Sequence, residues 1–188
     1  MAKAKKPSRT KATDKAVSKR YGWLKRMAFN RFTKTIMAIL VVFAMLPIVF
    51  TLLYAVPSTT PASTLMMGRA LIGKSVDRQW VSIDAINPVL AQSVLMSEDG
   101  QFCFHGGVDW NELNSVIDDA LDGKKTRSAS TLAMQAVKNL FLWPQRSFIR
   151  KAFEVPYAIF ADLIWSKRRM MEIYLNIAEF DEGVFGAE

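Results

Sequence analysis

The alternation of apolar and charged positions divides this chain before any motif is read. From Thr35 to Gly68 there is no charged residue, and Ile36 to Val56 is almost wholly apolar. About 20 such residues suffice for a helix to cross a bilayer, so the pattern predicts a transmembrane helix over 35–56. Pro47 is tolerated inside it because neighbouring groups re-satisfy the freed carbonyl. A cleavable signal peptide is the competing reading, since small residues occur from Ala55 to Ala62. The anchor is favoured because the apolar run exceeds the ~7–15 residues of a signal core and follows a long basic region. Val56 to Gly68 is rich in Pro, Ser and Thr, and 57–75 reads as a linker.

Beyond the linker the spacing turns helical. Val76 to Ile83 alternates only in part and predicts a short strand or extended segment. Asn87-Pro88 supplies a cap and a proline at the first helical position, and Val89, Leu90, Val94 and Leu95 then share one face leading to Glu98. Asp109-Trp110-Asn111-Glu112 has the form of a capping box. It precedes Leu113, Val116, Ile117, Ala120 and Leu121, with Gly123 as the stop. Gly123 to Ser128, with Lys124, Lys125 and Arg127, reads as an exposed basic loop. Ser130 or Thr131 can cap a helix carrying Leu132, Val137, Leu140 and Phe141, which stops at Trp143-Pro144. Ser147 caps the next, which Pro156 is expected to kink or restart. Its far part, Phe160, Leu163, Ile164 and Trp165, suits either a core or a lipid surface. Lys167 to Glu179 is the last clear helix. Strand content is small, so the domain at 76–188 is mainly α.

Charge separates the same pieces. Residues 1–34 hold 12 Lys and Arg against one acid, while the remainder holds 13 basic and 16 acidic residues; the formal net charge of +8 belongs to the tail. Basic residues beside a first span stay in the cytoplasm, which places everything after Pro57 outside the inner membrane. Nucleic-acid binding, the usual alternative for a basic run, loses ground because the run abuts a span. The single Cys103 has no partner for an internal disulfide, and beside aromatics it reads as a small packed hydrophobe.

Candidate chemistry gathers where a helix gives way to a tight loop. Glu98 and Asp99, the only histidine (His105) and the only cysteine lie within a dozen residues, at the kind of junction that places side chains at a cleft edge. Taken alone, an exposed Glu-Asp pair is an equal alternative. Thr131, Gln135 and Lys138 at i, i+4, i+7 form one stripe, which could equally be a solvated face. Arg150 and Glu154 at i, i+4 could be a helical ion pair of about 0.2–0.5 kcal/mol.

Four ordered motifs weigh against these bland readings. They are Glu98-Asp99-x-x-Phe102-x-x-His105-x-Gly107; Ser130-Thr131-x-x-x-Gln135-x-x-Lys138-Asn139-Leu140-Phe141; Arg150-Lys151-x-x-Glu154; and Lys167-Arg168-x-Met170-x-Glu172-x-Tyr174-Leu175-Asn176. A partial fifth, Glu182-Gly183-Val184-Phe185-Gly186, follows. Over 76–188 the chain resembles the peptidoglycan glycosyltransferases that polymerise lipid II, most closely the monofunctional, membrane-anchored biosynthetic transglycosylases.

The resemblance implies a mainly α, lysozyme-like glycosyltransferase domain with a membrane-facing jaw. It also implies inverting, processive formation of β-1,4-linked glycan with loss of a polyprenyl diphosphate. Glu98 matches the family's catalytic Glu and would be the general base; Glu154 matches the second essential Glu. Thr131, Gln135, Lys138, Arg146, Arg150 and Lys151 would bind substrate and its pyrophosphate. Asp99, Phe102, His105, Ser130, Asn139, Glu172 and Asn176 would support them. A divalent cation, Mg or Mn, shared with Glu154 is left open, no metal cage is visible, and no organic cofactor is implied. The implied partners are the membrane, lipid II and the growing glycan strand, with other cell-wall synthesis proteins left open and nucleic acid not expected.

Two residues depart from the family pattern: Ser128 stands where glycine is usual, and Met134 where the first of two adjacent glutamines is usual. The sequence also stops at Glu188, inside the fifth motif, and so reads as a truncated form of the enzyme. Two other functions stay open. A lytic, lysozyme-like enzyme would pair Glu98 with Glu154 as its two carboxylates, although a sugar leaving group gives the cationic set nothing to neutralise. An inactive, truncated lipid II-binding membrane protein is the non-catalytic alternative.

Overall fold

The computed structural model describes residues 31–124, 129–145 and 147–187. The basic tail through residue 30, most of the predicted basic loop (125–128), Arg146, Glu188 and the side chains of Arg31, Phe32 and Ala120 lie outside the described residues. Helix α1, Arg31–Tyr54, contains Pro47. Its 22 residues Thr33–Tyr54 have mean hydropathy 2.9 and are long and apolar enough to cross a membrane. The chain divides into two compact units within this helix, between Met45 and Leu46.

The second unit is mainly helical, as the spacing predicts. It contains α2 (Thr64–Leu71), β1 (Asp77–Arg78), α3 (Pro88–Glu98), α4 (Trp110–Leu121), α5 (Leu132–Phe141), α6 (Phe148–Ile164), α7 (Lys167–Ile177), β2 (Glu179–Asp181) and β3 (Val184–Phe185). The strands form one small sheet in the order β1-β3-β2, with β1 parallel and β2 antiparallel to β3. Helix caps follow the sequence closely. Asn87 Oδ1 accepts from Val89 N, Asp109 Oδ1 from Glu112 N, Thr131 Oγ1 from Met134 N and Ser147 Oγ from Arg150 N. Each satisfies an N–H that has no partner within its own helix.

Helices α5 and α7 make the core. On α5, Leu132, Ala133, Met134, Ala136, Val137 and Leu140 are buried, and on α7 every residue from Arg169 to Ile177 is. Helix α6 packs on both, and α2 reaches α5, where Thr64 Oγ1 donates to the carbonyls of Asn139 and Leu142. The stretch expected to be linker therefore carries a helix with its own cap, Ser63, and a buried Met66.

Helix α6 runs unbroken through Pro156, with Arg150, Glu154, Ala158 and Ala161 buried on either side of the proline. Two local expectations are corrected. Val89 is exposed rather than on the packed face of α3, where Leu90, Ala91, Val94 and Leu95 meet the core. The last helix ends at Ile177, two residues early, as Glu179 enters the sheet.

The final turns of α1 are fastened to this unit. Trp165 Nε1 donates to the Thr51 carbonyl at 2.7 Å. The buried Arg169 donates to the carbonyls of Tyr54, Val56 and Thr59 at 2.9, 3.2 and 2.7 Å, and its guanidinium pairs with Glu172. Asn176, 0 % exposed, acts as a strand edge: Val81 N donates to its Oδ1 and its Nδ2 donates to Val81 O. Glu172 Oε1 accepts from Ile83 N at 3.1 Å.

Two substitutions test this framework. Breaking a buried charge pair by removing one partner costs about 3–5 kcal/mol, so Arg169→Ala is expected to lower stability by that order in denaturant unfolding of the detergent-solubilised chain. A loss below ~1 kcal/mol would place the guanidinium among weak surface contacts. Gly107 has φ +83, and a Cβ there would come within 2.5 Å of the Ala158 carbonyl oxygen. Gly107→Ala is expected to cost more than ~1 kcal/mol by the same measurement.

Candidate active site

Helix α3 ends at Glu98, where Asp99 N closes the last turn on Leu95 O and Phe102 N returns to Asp99 O, both at 3.0 Å. The turn opens a cleft lined by Met96 to Gln101, Asp109, Glu112 and Ala129 to Thr131. Glu98 is exposed there, and Gln135 Nε2 donates to its Oε2 at 2.9 Å. The Gln135 amide has a second partner behind it, since the Tyr174 hydroxyl donates to Oε1 at 3.4 Å. Burial, with the charge of Glu98 adding, pushes the Tyr174 pKa up to about 12. The phenol thus remains a donor across the neutral range.

The neighbouring residues hold the loop. Asp99 is buried; its Oδ2 accepts from Leu132 N at 2.9 Å and its Oδ1 from His105 Nε2 at 2.9 Å. Thr131, also buried, donates to Gly107 O at 2.6 Å. Phe102 points inward, edge-on to His105. Cys103 and Phe104 point outward, Phe104 at 84 % exposure. Cys103 is therefore not the packed hydrophobe expected, because the turn gives the only inward position to Phe102. Lys167 closes the loop from the far side: its Nζ donates to His105 O at 2.7 Å and Asp162 Oδ1 at 2.6 Å, and lies 4.7 Å from the Phe102 ring centroid.

The basic residues of the third motif are organised around a buried acid. Glu154, 2 % exposed, has Arg150 Nη1 at 2.8 Å and Lys151 Nζ at 3.2 Å. The Arg150 contact is close but not aligned as a hydrogen bond, so Nη1 and Nε of the guanidinium have no hydrogen-bond acceptor among the described residues. Lys151 Nζ also donates to Ser130 Oγ at 2.7 Å, and Ser130 lines the Glu98 cleft. Lys138 stands half-buried on α5, one turn beyond Gln135. Among the described residues no three His, Cys, Asp or Glu side chains could share a metal ion. Glu154, already held by two cations, does not fit a protein-borne divalent site.

The structure thus brings Glu98, Gln135, Ser130, Thr131, Lys151, Glu154 and Arg150 into one connected system, with Asp99, Phe102 and His105 behind it. Glu172 and Asn176 lie elsewhere, pinning 81–83, and the Asn139 carbonyl is bound by Thr64. Arg146 and Ser128 fall outside the described residues. Three working residues were missed as site members: Lys167, Arg169 and Tyr174. Lys167 and Tyr174 stand in the quoted fourth motif and Arg169 at one of its open positions, but their partners are 62, 39 and 110 or more residues away. Spacing along one helix carries no signal for contacts of that range.

Comparison with known proteins identifies the family. The family model described as Transglycosylase matches residues 65–188. The chain is 54 % identical over 162 residues to the biosynthetic peptidoglycan transglycosylase of Agrobacterium fabrum, covering 86 % of this chain and 72 % of that protein. The protein of that name from Rhizobium meliloti is 60 % identical over 136 residues, covering 72 % and 58 % respectively. That from Brucella suis biovar 1 is 56 % identical over 150 residues, covering 80 % and 67 %. The matched region spans between 58 and 72 % of these relatives' lengths. With a family model over more than half of its length and relatives of this identity, the chain belongs to the transglycosylase family.

Proposed function

We propose that this protein is a membrane-anchored peptidoglycan glycosyltransferase that joins lipid II units into β-1,4-linked glycan strands and releases polyprenyl diphosphate. The observation that carries the reading is the link through Ser130: one residue of the Glu98 cleft holds the lysine that, with Arg150, surrounds Glu154. A base and a cationic cluster joined through one residue of the cleft are what the reaction needs.

In this mechanism Glu98 takes the proton of the acceptor's 4-hydroxyl as that oxygen attacks C1 of the donor sugar. The α-linked diphosphate leaves from the opposite face, which inverts C1. General-base assistance of this kind contributes ~10²–10⁴ in rate. Lys138, Arg150 and Lys151, together with Arg146, receive the charge that develops on the departing diphosphate, where cations act most strongly. Glu154 holds Arg150 and Lys151 in place. Thr131, hydrogen-bonded to Gly107 O, positions the wall of the cleft, and Gln135 steadies Glu98.

The tail at 1–34 is read as cytoplasmic, 35–56 as the inner-membrane span and 76–188 as the extracytoplasmic domain. The positive flank of an apolar span supports that orientation. The start of α6 supports a membrane-facing jaw: Phe148, Ile149 and Phe153 are exposed, Phe148 to 96 %.

Purified full chain mixed with fluorescent lipid II is expected to yield glycan polymer, and Glu98→Gln to lower the rate by at least ~100-fold. Polymer formation at the original rate in that variant would remove Glu98 as the base. Release of fragments from preformed peptidoglycan would favour a lytic enzyme, and binding without polymer a non-catalytic module. Lys138→Ala is expected to reduce the rate by about 10–100-fold at saturating lipid II; unchanged rate and affinity would remove it from the phosphate clamp.

A further inference from the structure

We propose that Tyr174 is a positioning residue for Glu98, acting through Gln135: its hydroxyl holds the carbonyl end of the amide whose N–H end meets the carboxylate. The inference rests on Glu98 being the base and adds a residue to its support.

A primary amide presents donors at one end and an acceptor at the other, and an ionised carboxylate only accepts. Turned one way, Gln135 donates to Glu98; turned the other, its carbonyl oxygen faces the carboxylate and repels it. The acceptor-only carboxylate selects the first, and Tyr174 holds the amide in place from its other end. Its hydroxyl donates to Oε1, which leaves Nε2 for Glu98 Oε2 at 2.9 Å and, more distantly, for Ser130 O at 3.5 Å. Tyr174 is 8 % exposed and lies within the wholly buried run of α7, so its ring has one position. Gln135 is half-buried on α5, and Glu98 is exposed at the end of α3. Order therefore passes from the core outward, from a fixed phenol through an amide to a carboxylate at a cleft mouth. Its high pKa keeps the phenol a donor throughout the working range.

Other charged groups around Glu98 are Asp99 on the next residue and Asp109 and Glu112 on the cleft wall. Lys138 stands a turn beyond Gln135, Lys151 is bound to Ser130, and His105 lies behind Asp99. All remain in Tyr174→Phe, which removes one hydroxyl and keeps the ring. Without the hydroxyl the far end of the amide is unheld, and the hydrogen bond that aims Glu98 is weakened.

The test is the steady-state kinetics of lipid II polymerisation by the full chain. In Tyr174→Phe, kcat is expected to fall about 5–20-fold with KM within about twofold. In a Gln135→Ala background, Tyr174→Phe is expected to lower kcat no further. An unchanged kcat, or one that falls equally in the Gln135→Ala background, overturns the proposal. Failure of the underlying reading shows separately, as absence of polymer from the wild-type chain or full activity of Glu98→Gln. In that event the side-chain amide signals of Gln135, assigned by their absence in Gln135→Ala, decide the relay without turnover by NMR. Broadened or shifted signals in Tyr174→Phe support the relay, and unchanged ones overturn it.

Discussion

The carboxylate of Asp99 ties the catalytic loop to the helix that carries most of the cleft. A buried carboxylate is costly unless its charge is met. Here it is met twice, by the first N–H of α5 at Leu132 and by His105. The N-terminal end of a helix carries partial positive charge, so the acid stabilises the helix start as the helix stabilises the acid. Two positions are fixed together in this way. Glu98 is the residue before Asp99, and Gln135 stands three residues after Leu132, so the 2.9 Å hydrogen bond between them follows from an anchor one residue away on one side and less than a turn away on the other.

Helix α7 distributes the remaining constraints, each turn sending polar groups to a different place. Lys167 takes the back of the catalytic loop, Arg169 the end of α1, Glu172 and Asn176 the segment at 81–83, and Tyr174 the amide beside Glu98. Such groups are tolerated in the core because nearly every one has its partner, and a buried polar network of this kind specifies one arrangement where apolar packing alone would admit several. The polar residues of the fourth motif are largely architecture.

Much of this was legible in the residues. Caps, stops and apolar spacing located α3 to α7 within a few residues, because those signals are local and each satisfies a backbone group in its own helix. Glu98 and the Gln135 stripe were legible as positions, but their meeting was not, since it depends on the Asp99 anchor between segments 33 residues apart. Helix α2 was hidden for a related reason. Its Ser, Thr and Met content resembles linker, and its stability comes from Met66 in the core and from Thr64 on the carbonyls that end α5. Cys103 misled because aromatic neighbours in sequence say nothing about which way a turn points a side chain.

The end of α1 follows the same logic and bears on the proposed reaction. A helix leaves its last carbonyls without partners in its own ladder, and a cation there is favoured. Arg169 supplies both needs, donating to Tyr54 O and to the Val56 and Thr59 carbonyls beyond it, while Trp165 takes Thr51 O and Phe141 stacks on Tyr54. The final turns of α1 are thus part of the domain core rather than the start of a free tether. A lipid-linked donor keeps its polyprenyl chain in the bilayer throughout the proposed transfer, so its diphosphate is presented at a fixed depth. An enzyme on a flexible stalk would have to find that depth anew at every addition. Contacts from Thr51 to Trp165, from Tyr54 to Arg169 and from Tyr174 through Gln135 to Glu98 shorten that search, because the end of the apolar helix and the cleft are tied from different sides to one buried helix and the residue pair that leads into it.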